Sequence, residues 1–310
     1  MRKVISLRTL FVVKIHIYML VFFFALVCVS GCSSVSLNQK LDDSPNAGPV
    51  ILQLDGDKGQ HDITVFHIHV ISQNLVNGEL VKKTSEENDF KVRTELINID
   101  PVNSIMAYKV TTLEKMGKAD LHEYALPNLG EEIIFRMNKW GKVLQAGVAP
   151  KESIFFVPPI SLPSQPVQKG DTWPLKSNWV SLKTGVPLEM DIVSILSNIK
   201  KCGSDLCAVI DVSGGVVIRG LPNQFLSSKQ GMEEIPLRFN SKINGQLIFN
   251  VNRGIVVYSY LRSEESLNGK SDSVLIQSCI ISKVDDPKEY SVINSGPLSC
   301  DPAASTPNIF

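Results

Sequence analysis

The sequence predicts a mostly β protein of antiparallel sheets, arranged as two similar sandwich or half-barrel domains. Three observations carry this expectation. Beyond its first fifty residues the chain is rich in Val, Ile, Ser and Asn, in short segments parted by turn residues, and no stretch keeps a helical period over three turns. Individual segments alternate apolar and polar side chains, as a strand with one buried face does. One hairpin pattern also occurs twice, at "IIFRMNKWGKVLQ" from Ile133 and at "LIFNVNRGIVVYS" from Leu247, which implies a repeated β unit.

The first element in chain order is a leader, residues 1–31. Arg2, Lys3, Arg8 and Lys14 make it basic, and no acidic residue precedes Asp42. The uncharged run from Ile17 to Val29 is shorter than the roughly 20 apolar residues that cross a bilayer. It suits the hydrophobic core of a secretory signal. The run ends at Val29-Ser30-Gly31-Cys32, which resembles the lipobox of bacterial lipoproteins, where an aliphatic residue and two small ones precede the processed cysteine. The resemblance implies a diacylglyceryl thioether on Cys32, fatty acyl chains such as palmitate as the anchor, and cleavage just before that cysteine. The competing reading is an uncleaved anchor helix with a chance cysteine. Lipid anchoring that lasts takes more than one chain. Ser33 stands where an aspartate would signal inner-membrane retention in the best-known sorting rule, so the resemblance implies a lipid-anchored place in the cell envelope, at the outer membrane rather than the inner.

Loss of the leader changes the charge. The whole chain balances 31 basic against 31 acidic residues. Four of the basic ones lie in the leader, which leaves a mildly acidic mature protein. Nucleic acid needs a basic stripe, so no nucleic-acid partner is expected; the expected partners are the membrane, through lipid on Cys32, and an envelope protein or an apolar ligand. Residues 32–49, "CSSVSLNQKLDDSPNAGP", are polar and aperiodic, a flexible tether.

The first β domain is expected over residues 50–150. In "DITVFHIHVI", Thr64, Phe66, Ile68 and Val70 alternate with Ile63, Val65, His67 and His69. A junction follows at 151–166, where Pro158, Pro159, Pro163 and Pro166 forbid a central strand. Its Phe155, Phe156, Val157, Ile160 and Leu162 fit either a buried seam or the mouth of a site for an apolar ligand. The second β domain is expected over 167–285. There "GQLIFNVNRGIVVYSYL" forms a hairpin with Gly254 at a position needing positive φ, and "VIDVSGGVVIRG" repeats the logic with Gly214-Gly215 at the turn. "VQKGDTW", Val167 to Trp173, together with the Gly-x3-Phe-Asn-x3-Gly hairpin at Gly245 to Gly254, is similar to uncharacterised families of β-rich bacterial envelope lipoproteins. Those families supply no catalytic residues to carry over. Gly170-Asp171 fits a tight turn and Trp173 an aromatic anchor.

Cysteines mark the compartment. With Cys28 in the leader and Cys32 lipidated, Cys202, Cys207, Cys279 and Cys300 remain, and an even number in an exported chain suggests disulfides. Cys202 and Cys207 flank the turn-rich "GSDL" and are expected to bridge a hairpin neck. Cys279 with Cys300 would tie down the C-terminal tail, 286–310, a closure worth on the order of 3 kcal/mol. Zinc spacing is poorly matched by C-x4-C without histidine nearby.

Catalytic chemistry is not evident. His67 and His69 project from one face of a strand and are the only weak metal candidates, with His61, Asp62, His122 and Glu123 as possible third ligands; the plainer reading is a solvated face. There is no Gly-x-Ser-x-Gly and no phosphate-cradling glycine loop. Glu131-Glu132, Glu233-Glu234 and Glu264-Glu265 are adjacent pairs whose members face opposite ways on a strand, unlike the facing carboxylates of glycoside hydrolysis, and they are expected to be solvated. No cofactor is expected. The chain reads as a binding or structural module, with a carrier of lipid or acyl chains in a concave β face as the alternative and a metal-dependent hydrolase behind both.

Overall fold

A computed structural model describes residues 48–118, 121, 126–147, 162–180, 187–218, 238–268, 271–285 and 300. Eleven strands follow one another: β1 His61–Val76, β2 Glu79–Asp100, β3 Ile105–Met116, β4 Glu132–Asn138, β5 Val143–Ala146, β6 Thr172–Val180, β7 Pro187–Cys202, β8 Asp205–Ile218, β9 Arg238–Asn250, β10 Ile255–Asn268 and β11 Asp272–Val284. They form one antiparallel sheet in the order β5-β4-β3-β2-β1-β11-β10-β9-β8-β7-β6. The expected antiparallel β class is what the chain adopts.

Each strand pairs with its sequence neighbour, save one long-range ladder. β1 and β11 run antiparallel from Thr64↔Val284 to Val76↔Asp272. The sheet therefore does not part between the two stretches expected as domains; each supplies a meander, and the meanders are hydrogen-bonded to each other. β5 and β6 are the two edges, so the sheet is not closed into a barrel.

Side-chain alternation decides which face is buried. Along β1, Thr64, Phe66, Ile68 and Val70 are buried and the intervening residues are only partly so, as the period-2 pattern requires. Phe66 stacks on Phe90 of β2, with ring centroids 4.9 Å apart. Leu196, Ile210, Leu247, Phe249, Leu261 and Ile280 belong to the same apolar cluster as Phe66, Val92 and Tyr108. Both meanders thus contribute to one core. Burying each such side chain fully is worth about 1.5–3 kcal/mol.

A strap shows that the sheet curls. The amide of Leu54 donates to the carbonyl of Lys139 in the β4–β5 turn (2.7 Å). The next residue, Asp55, packs directly against Gly254 in the β9–β10 turn. In a flat sheet those turns, five strand spacings apart in the order above, would be about 24 Å from one another. Two consecutive residues reach both only because the sheet is rolled. Further along the strap, Val50 exchanges hydrogen bonds of 2.8 Å with Val167, which leads into edge strand β6. Leu52 and Leu54 are buried in the core, and the ion pair of Arg253 with Asp62 (3.5 Å) sits close by with both side chains almost wholly buried. The strap closes one end of the roll.

Two glycine expectations fare differently. Gly254 has φ of 66° and closes the β9–β10 turn as expected. Gly214 and Gly215 do not form a turn; they lie within β8, and Ser213 with them. A Cβ at Gly214 would strike the carbonyl of Asp191 on β7, and one at Gly215 the carbonyl of Ser241 on β9. Close approach of backbone on both sides, rather than reversal of the chain, is what requires them.

Candidate functional site

The end of the roll opposite the strap is where β1 stops at Val76, β10 stops at Asn268, and β9 and β11 begin at Arg238 and Asp272. Here the inner face changes character. Strand parity turns Leu261, Ser263, Glu265 and Leu267 of β10 inward, and all four are buried. Register then sets their neighbours. Ser263 faces Ser278 of β11, and Glu265 lies between Ile276 of β11 and Ser241 of β9. One strand further, Ser72 of β1 faces Ile276 and Asn74 faces Val274.

Ser72, Glu265 and Ser241 thus stand in one row across the strands, with Asn74 one inward position further along β1. Glu265 is only 2% exposed, Ser72 1%, Asn74 4% and Ser241 5%. The hydroxyl of Ser263 donates to Glu265 Oε1 (3.2 Å) and shares a 2.8 Å hydrogen bond with Ser278. At this end, among the described residues, four buried atoms have no hydrogen-bond partner: Glu265 Oε2, Ser72 Oγ, Asn74 Oδ1 and Ser241 Oγ. Buried polar atoms are nearly always paired, and an unpaired one costs about 1–3 kcal/mol. Four of them stand together at one end of one face.

Charge is sparse at this patch. The inward positions described on β1, β9, β10 and β11 carry no lysine or arginine. On β2, Lys82 and Glu86 stand across from Asn74 and Val70, opposite in sign and both exposed. Burial therefore pushes the Glu265 carboxyl well above the usual carboxylate range, and the hydrogen bond from Ser263 offsets only part of the rise. The expectation that Glu264-Glu265 is solvated holds for Glu264 and fails for Glu265. The signal was present: Leu261 and Leu267 share its parity on the same strand, and a face with two leucines is the buried one.

The outer face of the same strands holds a groove of about 280 Å³ whose lining includes Ile71, Gln73, Lys242, Glu264 and Leu275 and also reaches Glu265 and Ile276. Nearer the strap, His67 and His69 project from this outer face, as expected. His67 Nδ1 lies 2.7 Å from Asp89 Oδ1 and His69 Nε2 lies 2.8 Å from Ser85 Oγ. Among the described residues no group of three or more His, Cys, Asp and Glu is placed to hold a metal, while His122 and Glu123 lie outside them. Asp62 is engaged with Arg253 instead.

The structure joins Cys202 to Cys207 and Cys279 to Cys300, with Cα atoms 5.8 and 5.6 Å apart. The first bridge crosses the neck of the β7–β8 hairpin, whose Cys202 pairs with Asp205. The second fixes Cys300 to the outer face, since Cys279 sits opposite His69. Gly170 has φ of 92°, and Gln168 and Asp171 close a tight turn by mutual hydrogen bonds. Trp173 is buried in the core, and Leu162 is buried with its amide bonded to the carbonyl of Trp140. Val29, Ser30, Gly31 and Cys32 lie outside the described residues, as do Phe155, Phe156, Val157 and Ile160.

No protein-family model matches the chain, and no curated protein matches it. Among solved structures it is similar to one concerning lipid–protein interactions in lipovitellin, at 12% identity and a TM-score of 0.42, over 74% of this chain and 25% of that one. The chain thus spans a quarter of that protein. It is also similar to DynF from the dynemicin biosynthesis pathway of Micromonospora chersina, at 9% identity and a TM-score of 0.19, over 82% of this chain and 92% of that one. Scores this low carry no functional argument, and the site stands on its own geometry.

Proposed function

We propose that this chain is a lipid-anchored binding protein of the bacterial cell envelope, whose rolled sheet takes an apolar or amphiphilic ligand at the end opposite the strap. The observation that carries the ligand reading is the set of four buried polar atoms, gathered at one end of the inner face, that have no hydrogen-bond partner among the described residues. A buried polar group that the protein itself leaves unsatisfied gains a hydrogen bond when a ligand supplies one. The anchor reading rests on the lipobox residues. Native mass spectrometry of residues 34–310, exported to an oxidising periplasm and purified without detergent, tests the first. A retained phospholipid or acyl species supports it, and a bare chain rejects it. For the second, Cys32→Ser should move the full-length protein from the membrane to the soluble fraction; a variant that stays membrane-bound sinks lipid anchoring.

A second reading has its own observation. Among the described residues β2 pairs with β3 from Asp89 onward, and the start of β2 at Glu79–Val81 lies beyond the end of that ladder. Leu80 and Val81 on this stretch are more than half exposed. A strand edge with exposed apolar residues is a place where another chain can add. A bare chain in the mass spectrum therefore directs the search to a protein partner at this hairpin.

A further inference from the structure

We infer that the ligand's headgroup is uncharged and hydrogen-bonding, a hydroxyl, ester or amide, and that it sits on Ser72, Asn74, Ser241 and Glu265 with its apolar body against the inward side chains nearer the strap. This rests on the ligand reading above and narrows it by chemistry. Three features of the patch select the head.

The first is extent. Ser72 and Glu265 are separated by β11, so they are about 10 Å apart, and Asn74 lies roughly 7 Å further along β1. Ser241 stands one strand beyond Glu265, so the row from Ser72 is about 14 Å long, and a head with several polar atoms, such as a glyceryl ester, meets more of the bare atoms than a single ammonium or carboxylate does. The second is donor and acceptor balance. Serine hydroxyls both donate and accept, and the bare oxygen of Asn74 only accepts. A head carrying both O–H or N–H donors and carbonyl or hydroxyl acceptors complements this mixture; an ammonium, which only donates, leaves the serine protons unused. The third is charge. An anionic head would be buried beside an acid; the inward positions described on β1, β9, β10 and β11 carry no lysine or arginine, and Lys82 of β2, across from Asn74, is exposed and stands with Glu86 of opposite sign. Burying a charge without a partner is strongly unfavourable. Apolar neighbours continue from the patch as Val70, Ile276 and Ile280, all buried, and an acyl chain fits against them.

The test compares three ligands with the same oleyl or oleoyl chain and different heads: monoolein, oleate and oleylamine. Each is titrated by calorimetry against residues 34–310 below its critical micelle concentration. Monoolein is expected to bind at least tenfold more tightly than either charged ligand. The double variant Ser72→Ala, Ser241→Ala should weaken monoolein about tenfold, from two lost hydrogen bonds, while its melting temperature stays level or rises because it deletes two unsatisfied buried atoms. A merely structural role for the serines cannot give that combination. Oleate binding as tightly as monoolein overturns the headgroup assignment and leaves the ligand reading standing. Oleylamine binding most tightly, with the advantage lost in Glu265→Gln, overturns it in favour of an ion pair. Unchanged monoolein affinity in the double variant also overturns it. If none of the three binds, the ligand reading itself falls.

Discussion

A carboxyl that is 2% exposed, with one oxygen taking a hydrogen bond from Ser263 and the other bare, holds its proton more tightly folded than unfolded. Burial raises the folded pKa of Glu265 well above the ordinary value, while the unfolded chain titrates near the usual glutamate pKa, about 4.3. Because the folded pKa is the higher one, the stabilising contribution is fully present below the unfolded pKa. It is then lost as pH rises toward the folded pKa. Over that window the folded state binds the extra proton, so unfolding free energy falls by up to about 1.4 kcal/mol per pH unit. Glu265→Gln keeps the shape and the hydrogen bonding of the neutral acid and cannot ionise. We expect denaturant unfolding of the variant to lose this slope between pH 4.5 and 7 and to be the more stable protein at the upper end. A wild-type slope that survives the substitution assigns the titration to another group.

At the scale of single elements, the strands that sequence reasoning located best are those whose two faces differ most. "DITVFHIHVI" declares its inward face through Phe66 and Ile68, and the structure buries those residues while leaving His67 and His69 outward. The Cys202–Cys207 hairpin was legible for another reason, since a turn-rich tetrapeptide between two cysteines leaves little choice of geometry. Gly214-Gly215 misled because glycine serves two needs that look alike in one dimension. A turn needs its backbone freedom; a strand between two close neighbours needs its missing Cβ, and only the pairing of β8 with β7 and β9 reveals which applies. Glu265 was hidden by a similar ambiguity. Its strand reads "LRSEESLN", and serines tolerate either face, so the two leucines alone carried the parity. The patch of unpartnered atoms could not be read at all, because Ser72, Ser241 and Glu265 meet only through a register set by partners about 200 residues apart along the chain. Sequence patterns show which face a residue takes; they do not show which strand lies beside it.

For the molecule as a whole, the β1–β11 ladder decides how folding is coupled. β1 is hydrogen-bonded on both sides, to β2 and to β11, so neither meander can leave without stripping a full-length strand edge. The strap adds ties between distant parts: Leu54 to the β4–β5 turn, Asp55 against the β9–β10 turn, and Val50 to the lead-in of β6. One core cluster draws on both meanders. These links favour unfolding as a unit, although a chain of 310 residues is of a size at which separate transitions are common. The tryptophans allow a direct test, because Trp140 lies in the first meander while Trp173 and Trp179 lie in the second. In one variant Trp140 is kept and the others become Phe; in a second, only Trp173 is kept. Urea titrations followed by each fluorescence signal and by far-UV circular dichroism should give coincident midpoints for each variant. Should the Trp140 and Trp173 signals move at well-separated urea concentrations, each half has its own stability and the two-domain organisation expected from the repeated hairpin governs folding, with the ladder as an interface between them. Coincidence instead makes the ladder part of a single cooperative core. In that case residues 167–310 expressed alone should aggregate, since β11 then presents the edge that β1 covers, with Ile276 and Ile280 beside it.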